Sequence, residues 1–184
     1  LVLYSTKVFR KALRLTMKKF LLAIYLLTFS LFSYAENVIM DKDDFLKQGL
    51  GVSEVPFHKY IILKDDVAAG VKDILKDTYH LPAIKYYKNG NKVGFILEAI
   101  GKHEFITTGY VVENNKISDA KVLVYRENYG GEVAYDFFLN QIRGNSLKSK
   151  DKLTNRLKNI SGATMSVNSM RKLSKLSLFL ASKI

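Results

Sequence analysis

A chain of 184 residues, 48% hydrophobic with 11 Phe and 11 Tyr, is long and apolar enough for one domain with a real core. It has no cysteine, which excludes disulfides, iron–sulfur ligation, zinc–thiolate sites and attached c-type haem. Of the formal +12 charge, six basic residues and no acid fall in residues 1–35, leaving a scattered 23 basic against 17 acidic beyond, which speaks against nucleic acid and suits either simple solubility or an acidic redox partner.

Met17-Lys18-Lys19, an apolar run over 20–32 and Ser33-Tyr34-Ala35 before Glu36 predict an export signal over 17–35. Residues 1–16 read as an upstream extension, with Met17 the true initiator. The apolar run is shorter than the ~20 residues a spanning helix needs, so cleavage and a periplasmic or otherwise extracytoplasmic location are expected. An uncleaved membrane anchor is the alternative. Beyond it, residues 36–80 read as an N-terminal helical segment. One helix is expected over 41–50 and another over 65–77, with Val67, Val71, Ile74 and Leu75 on one face. Residues 81–184 read as the principal domain. Leu81-Pro82-Ala83 breaks the helix, and strands follow over 84–87, 93–100, 103–112 and 117–125 at hairpin spacing. A helix is predicted over 132–142 on Val133, Phe137, Phe138 and Ile142. A polar stretch over 144–151 precedes a last helix carrying Met170, Leu173, Leu176 and Leu180. The fold class is α+β: a single domain with one antiparallel twisted sheet and helices packed on it.

Three stretches are candidates for chemistry. Ser161-Gly162-Ala163-Thr164 opens the last helix, where free N–H groups and the positive dipole end favour an anion, and Gly162 and Ala163 keep the backbone bare. The same residues read equally well as an ordinary Ser or Thr helix cap. Glu127 to Glu132 leaves a strand, bends at Gly130-Gly131 and enters a helix, which would orient Glu127 and Tyr129. An ordinary strand-to-helix turn has the same pattern. Gly101-Lys102-His103-Glu104 sits at a hairpin, where Lys102 or His103 would meet a phosphate or gate a proton. His58, His80 and His103 lack ligand spacing, so no metal site is expected. No nucleophile elbow, Walker loop or dinucleotide fingerprint occurs, and no catalytic residue is assigned.

In order, Gly101-Lys102-His103-Glu104-Phe105-Ile106-Thr107, Val124-Tyr125-Arg126-Glu127 with Gly130-Gly131-Glu132-Val133, Phe138-Leu139-Asn140-Gln141-Ile142-Arg143-Gly144 and Ile160-Ser161-Gly162-Ala163-Thr164-Met165-Ser166 resemble the FMN-binding domain family. That family includes the flavin-bearing domain of the C subunit of sodium-pumping NADH:quinone reductase, the G subunit of the Rnf complex and small exported proteins. The likeness covers roughly residues 93–180. It implies FMN held covalently through its phosphate on Thr164, attached by a flavin transferase that uses FAD and magnesium and releases AMP. Ser161, Gly162, Ala163 and Ser166 then surround the attachment point, and Glu127, Tyr129, Gly130 and Gly131, with Lys102 and His103, neighbour the flavin. The implied role is an exported electron carrier between a membrane or periplasmic redox protein and an extracytoplasmic acceptor. A non-redox module binding a small ligand and a flavin-dependent reductase are the alternatives. Two positions depart from the family pattern: Lys158 stands where an Asp is common, and Asn145 follows Gly144 where Lys is common.

Overall fold

Consecutive apolar runs separated by short polar turns give an antiparallel meander: β3 (Ala83–Asn89), β4 (Lys92–Ile100), β5 (Phe105–Glu113) and β6 (Lys116–Tyr125). Asn114 and Asn115 both take positive φ, 51° and 61°, the backbone that matches a two-residue turn to the twist of its strands. Two short strands complete the sheet, β1 (Asn37–Val38) beside β6 and β2 (Lys59–Ile62) beside β3. The order is β1-β6-β5-β4-β3-β2, antiparallel throughout. The computed structural model describes residues 17–19, 37–76, 82–149 and 152–184. Most of the expected export signal, Leu81 and His80 lie outside the described residues. The chain divides into two compact units, Leu1–Ala35 and Glu36–Ile184, and all these elements belong to the second.

Helices cover both faces of the sheet. On one, α1 (Lys42–Leu50) buries Phe45, Leu46 and Leu50 against Val111 and Leu123. The approach is close: a Cβ on Gly94 would lie 2.8 Å from a Leu46 methyl, and one on Gly109 would strike the Phe45 ring. On the other face, α2 (Asp65–Leu75) and the 18-residue α4 (Thr164–Ala181) close the larger core. There Met170, Leu173, Leu176 and Leu180 pack with Phe95, Ile106, Tyr110 and Val122. Each such side chain contributes roughly 1.5–3 kcal/mol on full burial. Strand β5 is therefore buried on both faces, and Thr107 and Thr108 go into the interior with it.

Two irregularities in β6 decide where its last residues point. The pairing with β5 shifts register between Val111 and Val112 and again between Thr107 and Thr108. Each shift leaves one residue of β6 extra, so Ile117, Ala120, Val122 and Tyr125 all reach the α4 side although two of their three intervals are three residues rather than two. Without the second bulge Tyr125 would face α1.

The helix expected over 132–142 is broken. A 3-10 turn spans Gly131–Ala134, Tyr135 is extended (φ −84°, ψ 150°), and α3 is only Asp136–Leu139. The buried positions are Val133, Phe138, Leu139 and Ile142, while Phe137 is exposed, so no single helical stripe exists to bury. The strand expected from 103 begins at Phe105, because residues 101–104 form the hairpin loop closed by the Gly101 N–H to Glu104 carbonyl bond of 2.8 Å. The polar stretch after Gly144 contains β7 (Leu147–Ser149), which pairs with β8 (Lys152–Leu153).

Candidate functional site

The C-terminal ends of β4 and β6, the loop between β4 and β5, and the start of α4 converge. Between them lies a cleft of about 390 Å³, within the size range of small-molecule sites. Lys102, His103, Glu127, Tyr129, Gly162, Ala163, Thr164 and Ser166 all line it, together with Glu104, Asn128 and Met165. Three stretches separated by up to about sixty residues are thus brought to one place. Ser161 is exposed outside the lining, and Gly131 sits behind it, where a Cβ would meet only the Tyr125 ring at 3.7 Å.

The start of α4 lacks the usual devices. Its N-cap is Ala163, no side chain accepts from its first-turn N–H groups, and that turn contains no acidic residue. Ser161 and Thr164 are not caps, so the ordinary-cap reading of this turn does not hold. Gly162, at φ +82°, makes the turn that a residue with a side chain adopts only under strain. The Ala163 N–H then donates to the Ile160 carbonyl at 3.0 Å. Thr164 and Met165 are exposed in the cleft.

Behind the cleft a buried polar tie fixes the glycine bend to α4. The Tyr125 hydroxyl donates to the Tyr129 carbonyl at 2.6 Å and lies 3.0 Å from the Ser166 hydroxyl. Burial pushes the Tyr125 phenol above its usual range; Ser166 opposes this, while the charges of Glu127 and Glu132 add to it, so the phenol stays a neutral donor. Gly130, at φ +83°, fits only because it has no side chain: a Cβ would lie 2.8 Å from the Ser166 hydroxyl and 3.3 Å from the Ala163 Cα. One turn further along α4, the Ser169 hydroxyl lies 2.5 Å from the Ile100 carbonyl, which ties the helix to the end of β4.

Glu127 points at the hairpin loop rather than offering a free carboxylate to the cleft. Its Oε1 accepts the backbone N–H groups of Lys102, of His103 at 2.6 Å and of Glu104 at 3.0 Å. Gly101 allows this approach, since a Cβ there would come within 2.6 Å of that oxygen. Burial acts to raise the Glu127 carboxyl, but the three N–H donors and the nearby His103 outweigh it and hold it below the ordinary carboxylate range. A fixed anion therefore shapes the loop, and Lys102 and His103 are displayed at the cleft by its backbone.

The two positions at which the chain differs from the family it resembles also have places. Asn145 is fully buried: it donates to the Gln141 carbonyl at 2.7 Å and accepts from Thr154 at 3.1 Å and the Asn155 N–H at 2.7 Å. It orders the chain leading to the Ser161 turn. The Lys158 N–H donates to the Gln141 Oε1 at 2.8 Å, and its side chain is exposed. Tyr125 and Gly101 lie within the quoted motifs without being singled out as site residues, and Ser169 lies outside them; all three support the cleft. Their signals are faint: an off-phase aromatic ending a strand, and hydroxyls three apart on the helix.

Compared with known proteins, the chain matches no family model, no curated protein and no solved structure. Among the described residues no helix is long and apolar enough to cross a membrane, and no group of three or more His, Asp or Glu is placed to hold a metal ion.

Proposed function

We propose that this protein is an exported electron carrier in which the cleft holds FMN joined through its phosphate to Thr164. One observation carries the reading: an exposed threonine hydroxyl opens an uncapped, acid-free helix N-terminus inside a cleft of about 390 Å³. The residues present suit the group. The α4 N-terminus favours the phosphodiester charge, and Lys102 adds a cation at the cleft. The exposed faces of Tyr129 and Met165 offer apolar surface to a flat ring, and the bare backbone at Gly130 keeps the bend close to α4. The flavin would supply the redox chemistry; the chain positions it and sets its surroundings. Covalent attachment suits an extracytoplasmic location, where a dissociable cofactor would be lost. The partners are the FAD- and magnesium-dependent flavin transferase, a membrane redox donor and an extracytoplasmic acceptor.

The test is coexpression of the full chain with such a transferase, followed by in-gel fluorescence after denaturation. Wild type is expected to fluoresce and Thr164→Ala to be folded and dark. Fluorescence that survives in the variant refutes attachment at Thr164. A dark wild type from a host with a working transferase favours the small-ligand module.

A further inference from the structure

On the flank of α4 away from its N-terminus, Lys152, Arg156, Arg171 and Lys175 line a second cleft of about 430 Å³ with Leu153, Asn155 and Leu157. Four cations and no acidic residue line it, and among the described residues none of the four pairs with a carboxylate. Like charges on one cleft repel, and an anion between them would offset that repulsion. The cationic groups come from two elements. Arg171 and Lys175 lie four apart on α4 and so share a helix face, while Lys152 and Arg156 come from β8 and the segment after it. Arg171 is held rigid: it donates to Asn168 at 2.5 Å, to the Leu157 carbonyl at 3.2 Å and to Asn159 at 3.4 Å. Burial, and then the like charge of Arg156, lower its pKa from the ordinary arginine value, so the charged form is disfavoured where it stands. A bound anion would relieve both effects. A guanidinium charge fixed in place beside flexible lysines suits an anion bearing phosphate oxygens.

We infer that this cleft binds a phosphate-bearing anion, at a site separate from the Thr164 cleft. The inference rests on the basic lining and the fixed Arg171, and it stands whether or not the protein carries flavin. Inorganic pyrophosphate titrated calorimetrically into the full chain at low salt is the probe for a soluble ligand. Cosedimentation with phosphatidylcholine vesicles, with and without phosphatidylglycerol, is the probe for a lipid headgroup. Because Arg171 also braces the chain before Ser161, the variant is Arg156→Ala with Lys175→Ala. The charge-matched control is Lys59→Ala with Lys85→Ala, on the β2–β3 edge. Saturable pyrophosphate binding, weakened roughly ten-fold or more in the first pair and little changed in the control, supports a soluble ligand. Vesicle binding that needs phosphatidylglycerol and follows the same pattern supports the headgroup. Absence of binding in both arms, or equal weakening by the two pairs, overturns the inference.

Discussion

Helices α1 and α4 both begin beside a sheet, yet their first turns are built in opposite ways. At α1, the Asp41 carboxylate accepts the N–H groups of Asp43 at 2.8 Å and Asp44 at 3.3 Å, and Asp43 and Asp44 add negative charge to the positive dipole end. At α4 there is neither a side-chain cap nor an acid. Helix α2 lacks a side-chain cap too, but Asp65 and Asp66 occupy its first turn. Among the long helices described, α4 alone begins with its dipole unanswered by the chain, and it does so at a cleft. The N-terminus of α4 is held in place by other means, the tie of Tyr125 to Ser166 and of Ser169 to Ile100, so its first-turn N–H groups are not needed for anchoring.

Substitutions at the two starts should therefore separate stability from binding. The largest loss is expected from Gly130→Ala, which combines positive φ with a Cβ 2.8 Å from the Ser166 hydroxyl; about 1–3 kcal/mol by urea unfolding is expected, with perturbed α4 N-terminal resonances. Asp41→Ala should cost about 1 kcal/mol in the same assay and leave flavin content unchanged. Glu127→Gln should act mainly through pH. The folded carboxyl titrates below its unfolded value, so its stabilising contribution is full above the ordinary carboxylate range, near 4.3, and is lost as pH falls through the lower folded value. Hydrogen-exchange protection at Lys102, His103 and Glu104, taken relative to the intrinsic rate at each pH, should thus fall on acidification in wild type and be low already at neutral pH in the variant. The smallest effect on stability is expected from Thr164→Ala: its hydroxyl caps nothing, so stability should move by less than about 0.5 kcal/mol while the flavin attachment proposed there disappears. A large stability loss at Thr164 with a negligible one at Asp41 would invert the comparison.

The sequence made the sheet legible because consecutive apolar runs at hairpin spacing, divided by polar and asparagine-rich turns, mark β3 to β6 directly. It hid β1, β2 and β7, which are two to four residues long and have too few positions for an alternation to show. It misread 132–142 because Val133, Phe137 and Ile142 mimic helical spacing, whereas the extended backbone of Tyr135 splits the run and leaves Phe137 exposed. Eight of the residues singled out as site candidates line one cleft, since motifs at loop ends survive folding as neighbours. The direction of the Glu127 side chain was not legible, because it depends on three backbone N–H groups of a loop more than twenty residues away. Nor was the role of Tyr125, whose orientation is set by a bulge that leaves only an off-phase aromatic in the sequence.

The most direct measurement is tryptic peptide mass mapping of protein purified from its native host. The peptide containing Thr164 is expected to carry the mass of FMN less one water, with fragment ions placing it on that residue. A Thr164 peptide found bare throughout, in protein from cells that make the transferase, would contradict it.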